Sequence, residues 1–227
     1  TYRAGPDWPP FATLRTAPGG APPVLLQLAP TLAEVGTYEL PLRVSDTTQE
    51  VTLTLEVEIG YAGGRLLRYT DFRTGAALAE LGFVAAADPA DSPNTFAAVA
   101  EPTPRGRFAD FPAVSDFTAT LTAPPLTTTD LATVTVRFTT AFDDYLFATA
   151  DPPVTLQLLA RTDAAGPPLE LWRHDETQGA LPLQSIWLPA DPRLGGVAEL
   201  TLQFVVTGGD STAILAWDLF DLLVTGE

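Results

Sequence analysis

Residues Val51–Ile59 read V-T-L-T-L-E-V-E-I, with apolar side chains at every odd position and Thr52, Thr54, Glu56 and Glu58 between them. A period of two marks a strand with one face buried and the other in water. Gly36–Val44 alternates in the same way, setting Tyr38, Leu40, Leu42 and Val44 on one face. Ser45–Gln49 then reads as a hairpin loop joining the two. Val24–Leu28 predicts a third strand. In the irregular opening Pro6–Phe11, Trp8 is expected to cap the core.

The run Gly60-Tyr61-Ala62-Gly63-Gly64 reads as a linker. It divides the chain into a small unit, residues 1–60, and a larger one, 61–227. In the second unit the pattern predicts strands over 65–72, 95–99, 116–122, 131–139, 154–159, 169–174 and 186–188. Ala76–Leu81 is read as one or two helical turns stopped by Gly82. Two apolar runs close the chain, Val197–Val206 and Ala213–Val224. They are read as a terminal hairpin turning at Gly208-Gly209-Asp210. Many short strands punctuated by Gly and Pro, with no long helix, predict an all-β chain: a small sandwich followed by a larger antiparallel jelly-roll β-sandwich. The first unit is short for its class, since an Ig-like sandwich uses about seven strands in about 100 residues. It is read either as a reduced module or as part of a domain whose other strands lie upstream or come from a neighbour.

Composition narrows the function. The net charge is −16 and the 12 basic residues are all arginine. Such a field disfavours nucleic acid and anionic membrane, which bind through basic contacts. No apolar run approaches the roughly 18 residues of a membrane helix. Without cysteine there is no disulfide, thiolate nucleophile or Cys-ligated metal, and without lysine no Schiff base. Since methionine is also absent, Thr1 is expected to be a processed or excised terminus. The one histidine, His174, lies in W-R-H-D-E with no nucleophile elbow of the G-x-S-x-G kind in the chain. The expectation is that the protein is not an enzyme.

Two resemblances add to this reading. Trp8, Pro30, Gly36-Thr37-Tyr38, Val44 and Asp46 resemble the pattern of putative-Ig and dystroglycan-type cadherin-like modules of bacterial surface proteins. The second unit resembles MAM-like and cleaved-adhesin jelly rolls. The matching residues are Asp71–Gly75, Leu121–Leu126, Val134–Phe138, Val154–Leu158 with Trp172, Leu200–Phe204, and Trp217–Val224. Arg73 stands where that family's opening turn is acidic, and the closing acidic pair is split into Asp218 and Asp221. The resemblances imply an extracellular module on a bacterial surface, structural or adhesive, as in the subunit of a fibre or sheath with strands exchanged between neighbours. Self-association or contact with other surface proteins would follow. The alternative is a carbohydrate-binding accessory module of a secreted hydrolase.

Two candidate sites follow. Such jelly rolls hold a structural Ca²⁺ where first and last strands meet, which points to Asp71 and Asp221 with Asp218 as helper; solvated turns or strand-end caps are the simpler roles for these aspartates. Aromatics that stack on sugars are sought in Trp172, Trp187 and Tyr145, with Phe147 beside them. Core packing is the simpler role for Trp172 and for Trp217.

Overall fold

The computed structural model describes residues 2–5, 8–16, 24–30, 34–45, 49–59, 64–109, 113–144, 150–162 and 166–227. The chain is all-β and forms two compact units, Thr1–Leu66 and Leu67–Glu227.

In the first unit, β1 (Tyr2–Ala4), β4 (Gly36–Ser45) and β5 (Glu50–Ile59) form an antiparallel sheet in the order β1-β4-β5. A separate hairpin joins β2 (Ala12–Thr16) and β3 (Val24–Leu28). The β4–β5 hairpin runs in continuous register from Gly36 opposite Ile59 to Ser45 opposite Glu50; most of its loop lies outside the described residues. Phe11, Ala12 and Leu40 are buried, and Trp8, Leu26, Tyr38, Leu55, Val57 and Ile59 pack on them. Trp8 does cap this core, and its Nε1 donates to the Pro41 carbonyl at 2.7 Å. The cover stops halfway along β5. Val51 and Leu53, on the same apolar face, are 54% and 49% exposed.

The second unit is a sandwich of two antiparallel sheets. Its strands are β6 (Arg65–Asp71), β7 (Val84–Asp88), β8 (Ala97–Val99), β9 (Arg105–Ala109), β10 (Ser115–Thr122), β11 (Val134–Asp144), β12 (Thr155–Arg161), β13 (Leu169–Asp175), β14 (Leu181–Asp191), β15 (Thr201–Asp210) and β16 (Ile214–Gly226). One sheet has the order β13-β12-β15-β10-β7; the other has β14-β11-β16-β9-β8, with β6 also paired to β16. Odd-numbered side chains of β10 (Phe117, Ala119, Leu121) and even-numbered ones of β11 (Val134, Val136, Phe138) meet in the core around Trp217. The indole of Trp217 donates to Thr140 Oγ1 at 2.7 Å, and that hydroxyl donates to the Asp218 carbonyl at 2.7 Å. The one polar atom of the largest core side chain is thereby satisfied.

The final two strands are not a hairpin. β15 is central in the five-stranded sheet between β12 and β10, and β16 is central in the other. The chain crosses the core between them through a 3-10 turn at Ser211–Ala213, capped by Asp210, whose carboxylate accepts from Thr212 N at 2.9 Å. Two mostly apolar runs joined by a short turn look the same whether they pair in one sheet or face each other across two, so pattern alone cannot distinguish the arrangements. The helix expected at Ala76–Leu81 is likewise a turn, closed by Glu80 N and Leu81 N donating to the Ala77 carbonyl.

Candidate functional site

The outer face of the six-stranded sheet gathers the chain's chemistry. In β11, Arg137 and Thr139 alternate with the core residues Val136 and Phe138 and so point outward. In β14, Leu183, Ser185 and Trp187 share that side: Thr139 and Ser185 hydroxyls meet at 2.8 Å, and the Arg137 guanidinium sits 5.3 Å from the Trp187 ring centroid. In β9, Arg105 and Arg107 flank the inward Gly106 and precede buried Phe108.

Asp218 and Asp221 are three residues apart, an odd spacing that puts two side chains on opposite faces of a regular strand. Here the register slips: Thr139 faces Asp221 while Thr140 faces Leu219. Phe220 is the extra residue of a bulge, and both aspartates come to the outer face. Arg107 grips Asp218 with both ends of its guanidinium, Nε to Oδ1 at 2.5 Å and Nη2 to Oδ2 at 2.6 Å. Arg105 Nε lies 3.0 Å from Oδ2 but is misaligned for a hydrogen bond, so its contribution is electrostatic. Asp221 accepts from Thr139 Oγ1 at 3.0 Å and has Arg137 and Arg73 at 3.5 and 3.8 Å.

Asp71 ends β6 and caps the 3-10 turn Phe72–Thr74, accepting from Arg73 N at 3.0 Å and Arg73 Nε at 2.8 Å. The same device recurs where β14 ends at Asp191: Arg193 N and Nε both return to its carboxylate. The Asp218 hydrogen bonds hold Arg107 more firmly protonated than a free guanidinium. Burial, followed by the charges of Asp71 and Asp221, raises the Tyr69 hydroxyl above its ordinary range.

The three aspartates of the calcium expectation therefore lie with four arginines, Arg73, Arg105, Arg107 and Arg137. Among the described residues no group of three or more His, Asp or Glu side chains converges so as to hold a metal ion. The donor set suits guanidinium groups, and a cation here would have to displace them.

Of the aromatic candidates, Trp187 is 61% exposed on the outer face. Trp172 is only partly buried, but it packs edge-on to Phe138 at 5.3 Å and over Trp217 at 6.2 Å, as core residues do. Tyr145 and Phe147 lie outside the described residues. His174 is buried, with Nε2 donating to the Gly179 carbonyl at 2.8 Å and its ring stacked on Trp172. Leu183 and Phe220 escaped the sequence reading. With Arg73, Pro102, Thr103, Arg105, Thr139 and Asp218 they line an open groove of about 460 Å³. Leu183 is 62% exposed. An apolar residue repeated every second or fourth position on the polar face of a strand was the available signal.

The architecture is that of an antiparallel β-sandwich module. No family model matches the sequence, and no curated protein is significantly similar to it. Among solved structures, the chain is similar to the K1 cleaved adhesin domain of Lys-gingipain from Porphyromonas gingivalis W83. The identity is 13% and the TM-score 0.54, over 72% of this chain and 99% of that one. It is also similar to a structure described as the basis for the promiscuous specificity of carbohydrate-binding modules of the β-sandwich superfamily, at 13% identity and TM-score 0.44, over 99% of this chain and 82% of that one. The likeness bears on the fold alone.

Proposed function

We propose that the chain is a non-catalytic, extracellular binding module that takes an extended glycan along the outer face of the six-stranded sheet. The observation that carries this reading is Trp187, a large apolar ring 61% exposed on the same outer face as the groove walled by Leu183 and Phe220. Left in water, such a ring lacks the packing that accounts for the chain's other tryptophans. A pyranose ring offers the flat apolar face that an indole stacks against. Arg137 fixes the indole from one side by a cation–π contact. Thr139, Ser185 and Arg73 supply the hydroxyl and guanidinium partners that orient a polar ligand in a groove.

A second reading, an adhesive or structural module assembled through shared strands as in a surface fibre, is favoured by the half-covered sheet of the first unit. Both readings place the protein on or outside a bacterial cell.

Glycan-array binding followed by affinity electrophoresis, with wild type and Trp187→Ala side by side, tests the first reading. The expected result is retardation on a polysaccharide that the variant loses while keeping its melting temperature. Equal retardation of the two, or none on any glycan, overturns it.

A further inference from the structure

Every edge strand offers unpaired N–H and C=O groups to another chain, and proteins blunt such edges with proline, short length or irregularity. In the second unit, the eleven-residue edge strand β14 contains Pro182 and Pro189 and slips register twice against β11. The edges β8, β7 and β13 are three, five and seven residues long, and β13 slips register once against β12. β5 has none of these guards. It is ten residues long, holds no proline, pairs with β4 without a slip, and has no partner on its other edge among the described strands. Its apolar face is covered at Leu55–Ile59 and open at Val51 and Leu53.

We infer that this edge is a homodimer interface, in which β5 pairs antiparallel with β5 of a second copy about a two-fold axis at Leu55. The register follows from the sequence. Apolar residues stay on one face only if the paired numbers sum to an even value. Centring on Leu53 sets Glu50 opposite Glu56 of the second copy, and centring on Thr54 sets Glu50 opposite Glu58. Centring on Glu56, Val57 or Glu58 also juxtaposes glutamates, and centring on Thr52 leaves only a five-residue overlap. Like charges directly opposite are unfavourable, and Glu56 already faces Glu39 within the hairpin. Centring on Leu55 pairs residues 51 to 59 in full. Val51 meets Ile59, Leu53 meets Val57, Leu55 meets itself, Thr52 meets Glu58 and Thr54 meets Glu56.

The same register repairs the burial. The uncovered Val51 and Leu53 of each copy come beside Ile59 and Val57 of the other, which pack in the same small core as Trp8 and Leu26. Each copy's β2–β3 hairpin thus extends shelter to the other's open half. The product is a six-stranded sheet, β1-β4-β5-β5-β4-β1. Because a two-fold contact closes on itself, it yields a dimer and not a filament; a fibre would require a further contact. The dimer does not depend on the glycan reading, which concerns Trp187 in the other unit.

The chain's lack of cysteine makes the register directly testable. The double variant Thr54→Cys/Glu56→Cys, on the exposed face of β5, places two pairs of thiols directly opposite in this register, within disulfide reach. Under mild oxidation it should become a covalent dimer of twice 24.1 kDa, or 48.2 kDa, on non-reducing gels. Thr54→Cys alone should not, since its two copies sit on a diagonal of roughly 7–8 Å. Sedimentation equilibrium of the uncross-linked protein should show a mass that rises with concentration. Thr54→Glu should weaken that association between about twofold and thirtyfold through its two symmetric like-charge pairs, and Thr54→Arg should strengthen it. A mass fixed at 24.1 kDa at every concentration, or cross-linking equal in the single and double variants, overturns the inference.

Discussion

Replacing Asp218 by asparagine asks whether the outer-face carboxylates are structural partners of arginine. The change keeps the shape and removes the charge. It turns one accepting oxygen into an NH₂ that must face an arginine N–H. Two guanidinium groups lose their counter-ion, and Arg105 is nearly enclosed, its side chain 7% exposed against 10% for Asp218. Breaking a buried pair by removing one partner costs about 3–5 kcal/mol. Arg107 is 27% exposed and water recovers part of its loss, so about 3 kcal/mol is expected, the low end of that range. For a unit of this size that corresponds to a fall in Tm of about 6–12 °C. Thermal unfolding followed by near-UV circular dichroism suits the assay, because Trp217 is the neighbouring residue and reports on the core. The double variant Arg107→Met/Asp218→Leu should recover most of the loss, since apolar residues of similar volume replace buried pairs at little cost. A fall of under about 2 °C for Asp218→Asn would refute the reasoning. So would a wild-type protein that EDTA destabilises as much as the mutation does, because Asp218 would then be serving a cation.

Gly209→Ala should destabilise strongly: a Cβ there would overlap the Asp151 carbonyl, which is backbone and cannot step aside; a chemical-denaturation midpoint unchanged from wild type would be contrary. Asp191 is held below the ordinary carboxylate range, first by the Arg193 side-chain hydrogen bonds. A depressed folded value contributes stability that is present above the unfolded value, about 3.9, and is lost as pH falls through the folded one. The urea midpoint of Asp191→Asn should therefore lie below wild type at neutral pH and converge with it in acid; a gap constant across pH would count against the pair. Adding Ca²⁺ to metal-free protein should leave Tm unmoved at the arginine-paired aspartates, and a saturable rise that Asp71→Asn or Asp221→Asn abolishes would instead place the ion there.

Strand periodicity was readable where apolar and polar residues alternate cleanly. β4, β5, β10 and β11 alternate in the sequence as they do in the structure. β7, V-A-A-A-D, carries alanines that prefer no face, and β9, R-G-R-F-A, is too short to show a period; neither stood out. The pairing of the last two strands was hidden for a different reason: alternation shows which face of a strand is buried but not which sheet the strand joins.

The site was the least legible part, and the reason is one inserted residue. Read on a regular strand, Asp218 and Asp221 belong to different faces and cannot act together. The Phe220 bulge cancels the odd spacing and turns both outward, and it also exposes a phenyl ring to the groove that Leu183 enters from β14. Arginines from β9, β11 and the turn after β6 then meet those carboxylates. The bulge therefore creates the charged floor and part of the apolar wall at once. Removing Phe220 would bring Asp218 and Asp221 to a spacing of two, so simple alternation would keep both carboxylates outward and Leu222 in the core, while the groove would lose its phenyl wall.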